Sequence, residues 1–176
     1  MRARFFALSM TATLLPALAV AQGAAPVAQA FRDNEATQAK NLVAAAELMP
    51  ADKFAYKPTP AQMSFGEIVM HLSTGNDYLC GAIGGTAAPN RPTVTATTGK
   101  DALVSRLKET FEFCNQALAK LDDSKLTEPL DFFGRKMSRA AVMTLTTGDW
   151  ADHYSQSAVY LRLNGILPPT AKSAAP

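Results

Sequence analysis

Asp149 and His153 are the two residues whose types and spacing most clearly favour chemistry. They lie in Ser138 to Pro169, a segment that predicts one long helix of about 26 residues, capped by Ser138 and ended by Gly165 and two prolines. Residues four apart on a helix project from one face about one turn apart, so the carboxylate and the imidazole could share an ion. The same spacing also fits a hydrogen-bonded Asp149–His153 pair without a metal.

The helix face that carries this pair is apolar at both ends and polar in the middle. Burying a carboxylate and an imidazole side by side costs free energy unless each finds a partner, so the stripe predicts a metal, a hydrogen-bond network or a wet pocket. Three nearby aromatic residues, Trp150, Tyr154 and Tyr160, are interpreted as packing residues. The full stripe comprises Val142, Leu145, Asp149, His153, Gln156, Tyr160 and Leu163.

Three further helices must position this face. Apolar spacing predicts a first helix over residues 31–49, a second over 65–83 and a third over 100–121. Ser64 and Glu67 form a capping-box pattern at the start of the second helix. No convincing strand run occurs, although residues 130–135 could form a tight turn or short hairpin. The fold class is therefore predicted to be all-α, a four-helix bundle.

The beginning of the chain predicts export. Residues 1–21 combine a basic start, an apolar run and a small-residue cleavage pattern, which is typical of a secretory signal peptide rather than a membrane anchor. Residues 22–30 are expected to be a flexible leader, 31–169 the bundle and 170–176 a disordered tail. The mature protein is expected in the periplasm or secreted, with no membrane association after signal cleavage.

Charge argues against nucleic acid as a partner. The chain has 17 Lys and Arg against 15 Asp and Glu, and the counts become equal once Arg2 and Arg4 leave with the signal peptide. A nucleic-acid-binding protein normally shows a basic face or a charge run, and the sequence shows neither.

Cys80 and Cys114, the only cysteines, constrain the topology. An oxidising compartment favours a disulfide between them; two buried thiols are the alternative. Antiparallel second and third helices would separate the two sulfurs by roughly 15 Å in height, whereas parallel helices would place them level. The 15 residues from Gly84 to Thr98 can reach roughly 50 Å when extended, enough for a crossover along the second helix.

Several segments together resemble a known family. GEIVMHL in the second helix, FEFCNQAL in the third, DFFGRK before the last helix and DHYSQSAVYLRLNGILPP at its end resemble the DinB/YfiT-like superfamily, specifically its exported members with two cysteines. The resemblance covers essentially the whole mature chain. It implies a DinB-type four-helix bundle with a long crossover between helices 2 and 3, often as a homodimer.

The resemblance also implies a divalent-metal site made by one histidine of the second helix and an H-x-x-x-H pair of the last helix. His71 and His153 match two of these ligands, and Asp149 occupies the position of the third. Two imidazoles and one carboxylate suit Zn, Ni, Mn or Fe. Gln156, Glu67 and Asp152 are expected as outer partners of the ligands.

Two functions therefore remain open. One is a metal-dependent transferase or hydrolase acting on a small-molecule ligand; family members with assigned activities include thiol-dependent transferases and a maleylpyruvate isomerase. The other is a non-catalytic stress or binding module whose polar cluster is held by hydrogen bonds alone. The sequence contains no glycine-rich phosphate loop after a strand, no G-x-S-x-G and no C-x-x-C motif.

Overall fold

A computed structural model describes residues 25–172, which form a helical bundle with one small hairpin. The predicted signal peptide, residues 22–24 of the leader and the last four residues of the tail lie outside the described part of the chain. The elements are α1 (Pro26–Leu48), α2 (Phe65–Gly84), α3 (Lys100–Leu118), β1 (Pro129–Phe132), β2 (Arg135–Ser138), α4 (Arg139–Leu163) and α5 (Pro169–Lys172). The prediction of a helical bundle is confirmed.

The helices that carry the site begin where their capping residues predict. At α2, the Ser64 hydroxyl accepts a hydrogen bond from the Glu67 amide, and the Glu67 carboxylate accepts one from the Ser64 amide. At α4, the Ser138 hydroxyl accepts from the Ala141 amide. Each cap satisfies an amide that has no partner inside its helix.

The beginning of α1 differs from the expected flexible leader. The helix starts at Pro26, five residues before the predicted Phe31. Proline suits a first helical position, and the Asp123 carboxylate accepts hydrogen bonds from the amides of Val27 and Ala28 at 3.1 and 2.8 Å. Local patterning could not reveal this cap, because the acceptor lies 95 residues further along the chain.

The other helix ends also require corrections. The third helix ends at Leu118 rather than Leu121. Part of the expected disordered tail is helical, since α5 covers Pro169–Lys172. The hydroxyl of Tyr154 holds this segment: it donates to Thr170 Oγ1 at 2.8 Å and accepts from the Thr170 amide at 3.2 Å.

Helices α2 and α3 are parallel and joined by a crossover, as predicted. Asp77 contacts Thr110, Cys80 is bonded to Cys114, and Gly84 packs on Ala117, so positions advance together along the two helices. The Cys80 and Cys114 Cα atoms are 5.0 Å apart in this disulfide. Around the bundle, α1 packs on α3 and α4, and α2 packs on α3 and α4.

The buried face of α4 is rotated from the predicted stripe. Leu145 and Leu163 are 46% and 57% exposed, whereas Trp150 is fully buried. The Trp150 ring stacks on Phe31 at a centroid distance of 5.6 Å, and its Nε1 donates to Asn76 Oδ1 at 2.8 Å. Because α4 is flanked by two helices, its packing face is wider than a single line of residues.

The segment around Phe132 and Phe133 forms a hairpin, one of the two forms expected for it. Strands β1 and β2 are antiparallel, and Phe132 pairs with Arg135 next to the turn. The turn residues Phe133 and Gly134 both have positive φ, 50° and 79°, as in a type I′ turn. Within residues 25–172, no helix has the length and apolarity needed to cross a membrane.

Candidate metal centre

Helices α2 and α4 place His71, Asp149 and His153 in one cluster. His71 is in the second turn of α2, and Asp149 and His153 are one turn apart in α4. The two helices pack directly on each other, so the α2 imidazole reaches the polar part of the α4 face. The three residues predicted from the sequence are therefore brought together, with one donor atom from each within 4.8 Å of the others.

The Asp149 carboxylate is the centre of this cluster. Its Oδ1 lies 3.5 Å from Nε2 of His71 and 3.4 Å from Nε2 of His153. Ligand bonds of about 2.1 Å at tetrahedral angles would separate neighbouring donor atoms by about 3.4 Å. The two oxygen-to-nitrogen distances match this separation, and the three donor atoms lie within 4.8 Å of one another, so the cluster could hold a metal ion.

The charges of the cluster stabilise an ionised Asp149. Burial alone would raise the pKa of Asp149, but hydrogen bonds from His153 and His71 and the attraction of both rings outweigh it and lower this pKa well below its usual range. The hydrogen bond to Asp149 raises the pKa of His71, against the opposing effect of burial. An ionised carboxylate is the form that binds a cation.

His153 is the most enclosed of the three residues. It is 7% exposed, and its ring lies 4.8 Å from the His71 ring, centroid to centroid, at an interplanar angle of 63°. Its Nδ1 is buried and has no hydrogen-bond partner among the described residues. A metal-ligating histidine commonly donates its second N–H to an oxygen acceptor. The described residues provide no such acceptor for Nδ1 of His153.

The open side of the cluster faces a groove between α2, α4 and the hairpin. The side chains of His71 and Asp149 are 46% and 33% exposed. The cavity has a volume of about 630 Å³, and its lining includes Gly75 of α2, Phe133 and Arg135 of the hairpin. We call this cavity the hairpin groove; it opens onto the His71 and Asp149 side of the cluster.

The expected outer partners lie elsewhere. Gln156 donates to Asp152 Oδ2 at 2.7 Å, and Asp152 lines the hairpin groove; among the described residues it forms no hydrogen bond with His71, Asp149 or His153. Glu67 caps α2 and lies 3.7 Å from Lys57.

Sequence reasoning missed the hairpin residues as lining of the site. The consecutive phenylalanines and the following Gly-Arg predicted the turn, but no local signal showed against which helix the turn packs.

A family model described as the DinB superfamily matches residues 35–157 of the chain. Among curated proteins, none matches this chain significantly.

Solved structures share the fold. A DinB-like protein from Bacillus subtilis is 26% identical, with a TM-score of 0.63 over 77% of this chain and 92% of that chain. A DinB-like protein from Bacillus cereus is 16% identical, with a TM-score of 0.66 over 80% and 95% of the two chains. A conserved protein from Enterococcus faecalis is 14% identical, with a TM-score of 0.63 over 78% and 96%.

Proposed function

Since this chain belongs to the DinB superfamily, we propose that it binds one divalent cation through His71, Asp149 and His153 and acts on a small molecule in the hairpin groove. The observation that carries this proposal is the position of Asp149 Oδ1, 3.5 and 3.4 Å from the two imidazole nitrogens. A core-facing histidine is ordinarily satisfied by one hydrogen bond. Here two imidazoles converge on one carboxylate at the open end of a cavity.

The donor set favours Zn, Ni, Mn or Fe over the alkaline-earth cations, because two of its three atoms are imidazole nitrogens. Such a cation, when bound, supplies Lewis acidity that lowers the pKa of a coordinated water or thiol. His153 and Asp149 would fix it against the buried side of α4, and His71 would hold it from α2. The exposed sides of His71 and Asp149 leave room for a substrate to approach from the groove.

The reaction that suits this arrangement is a metal-dependent transfer or hydrolysis on a small molecule. A groove of about 630 Å³ accommodates a metabolite-sized substrate rather than a polymer. One specific observation favours the alternative, a non-catalytic binding module. Asp149 already interacts with both histidines, so the cluster can also be stabilised without a cation.

We further propose that the protein works in an oxidising compartment outside the cytoplasm. The disulfide between Cys80 and Cys114 supports this location, because such bonds persist where thiols are not kept reduced. The signal-peptide pattern of residues 1–21 supports it independently.

Elemental mass spectrometry of the purified protein tests the metal proposal. We expect near-stoichiometric metal after incubation with Zn(II), Ni(II), Mn(II) or Fe(II), and its loss in His153→Ala and Asp149→Asn. Asp152→Asn is the matched control, since Asp152 is an acidic residue of the same helix that lines the groove outside the cluster. Absence of metal in the folded wild-type protein would reject the proposal and favour the binding module.

A further inference from the structure

The hairpin presents aromatic surface to the groove at the cost of exposing it to water. Phe133 is 69% exposed, and its ring lies 4.9 Å from the Phe132 ring at an interplanar angle of 74°. Leu145 of α4, 46% exposed, also lines the groove. An apolar ligand would cover these side chains, and burial of their surface would favour its binding.

The hairpin tip is held in place by α2. The Tyr78 hydroxyl donates to the Asp131 carbonyl at 3.0 Å and accepts from the Phe133 amide at 3.2 Å. The Tyr78 ring also contacts the Phe133 ring at a centroid distance of 4.8 Å. Phe133 adopts a φ of 50°, which is rare for a bulky residue, so these contacts stabilise an otherwise unfavourable backbone. These contacts hold the Phe133 ring in position before any ligand binds.

Arg135 supplies a positive charge next to Phe132 and Phe133. Arg135 pairs with Phe132 across the hairpin and lines the groove. Within residues 25–172, its guanidinium takes part in no ion pair or hydrogen bond, whereas the neighbouring Lys136 lies 3.7 Å from Asp131. Among the described residues that line the groove, Arg135 is the only lysine or arginine. Asp149 and Asp152 repel an anion, so an anion in the groove would pair with the Arg135 guanidinium.

We propose that the hairpin groove selects a small organic carboxylate with an aromatic body. Its carboxylate pairs with Arg135, and its ring packs against Phe132, Phe133 and Leu145. This inference rests on the proposed function for the role of the site, and it names the substrate class. An aromatic amine would lack the charge that Arg135 attracts, and a small aliphatic acid would leave the phenylalanines exposed.

Binding of 3-phenylpropionate tests the inference, with its neutral amide, 3-phenylpropionamide, as the matched ligand. Isothermal titration and ¹H–¹⁵N spectra are recorded on the full mature chain, both metal-free and after loading with Zn(II). We expect the acid to bind at least about tenfold more tightly than the amide, as a charge-assisted contact provides. Shifted amide signals should include those of residues 131–135.

Variants of Arg135 and Phe133 test whether these residues contact the ligand. Arg135→Gln should remove the preference for the acid, Arg135→Lys should restore part of it, and Phe133→Ala should weaken acid and amide alike. Lys136→Gln is the control, since it removes the adjacent positive charge without touching the groove lining. Circular dichroism confirms that each variant is folded. Equal binding of acid and amide, or an unchanged preference in Arg135→Gln, would overturn the inference.

The two proposals fail separately. If the metal-free protein keeps an Arg135-dependent preference for the acid but never retains a cation, the groove assignment stands and the metal proposal is rejected. If the protein retains the cation through His153 but shows no preference for the acid under either condition, the carboxylate assignment is rejected and the metal proposal stands.

Discussion

His71 and Asp149 are 78 residues apart in the chain and meet across the α2–α4 interface, with Nε2 of the imidazole 3.5 Å from Oδ1 of the carboxylate. The contact links the protonation of the His71 ring on α2 to the charge of the Asp149 carboxylate on α4. A cation bound by both residues would therefore lie between α2 and α4.

Replacing Asp149 with Asn should lower the pKa of His71, because the carboxylate that raises this pKa is removed. A histidine with a raised folded-state pKa contributes stability below its unfolded pKa and loses it as pH rises through the folded value. In metal-free protein the Asn variant should therefore lose more stability at pH 5 than at pH 8. NMR titration of the His71 ring and urea unfolding at both pH values check this; a pH-independent difference would contradict it.

The same substitution should weaken metal binding at least about tenfold, because even the loss of an outer partner of a ligand has an effect of about this size. Competition with a chelator of known affinity measures the change. Asp152→Asn should leave the affinity within about twofold, since surface charges outside the coordination set act weakly in physiological salt.

Glu35 should make the protein less stable at alkaline pH. It is 2% exposed, and desolvation by burial raises its pKa to about 7. Since the folded state holds the proton more tightly than the unfolded state, stability falls as pH rises from about 4.5 through about 7. Glu35→Gln should therefore be more stable than wild type at pH 8, by up to about 3 kcal/mol, and nearly equal to it at pH 4. Thermal unfolding across this range measures the effect, with the exposed Glu112→Gln as control.

The Cys80–Cys114 bond should resist thiol labelling. Without reductant, neither the native nor the urea-unfolded protein should react, whereas unfolding in the presence of a reductant should release two thiols, because both cysteines are buried in the folded protein. Replacing both cysteines with serine should lower the free energy of unfolding by about 4 kcal/mol in the chain-entropy model for a loop of this length. Labelling of two thiols in unreduced, unfolded protein would show that the bond does not form.

Arg91 should hold the crossover segment, residues 85–99, against the bundle. Its Nε donates to Asp77 Oδ2 at 2.9 Å, and its other nitrogens reach the Glu109 side chain and carbonyl. Asp77 is 8% exposed, so Arg91→Ala leaves a buried carboxylate with only Thr110 and should destabilise the protein by about 2 kcal/mol. Hydrogen exchange should accelerate across residues 85–99. Lys120→Ala, an exposed change just after α3, should leave exchange there unaltered.

Local patterns predicted the helices and the parallel crossover because they depend on residues close in sequence or on simple chain geometry. The i, i+4 spacing of Asp149 and His153 is of this kind, and so is the Ser64–Glu67 cap. The long-range features escaped prediction. The Asp123 cap on α1 and the Tyr78 contact with the hairpin tip join segments 95 and 55 residues apart, and no periodicity encodes such pairings.

The rotation of the α4 face has a related cause. A single line of residues suits a helix packed on one neighbour, and α4 packs on both α1 and α2. Trp150 is turned toward Phe31 of α1, while Asp149 one residue earlier is turned toward α2. Sequence spacing showed that both residues belong to the helix, but the division between its two neighbours is a tertiary property.

Because α2 and α3 are parallel, the crossover between them should accept insertions more readily than deletions. The 15 residues 85–99 must return along a helix of about 30 Å, which needs at least about nine extended residues. Natural variation in this segment should therefore run mainly toward insertions, which loops accept at small entropic cost. Deletions beyond about six residues would separate Cys80 from Cys114 or unwind a helix end, so the crossover sets a lower limit on the size of the domain.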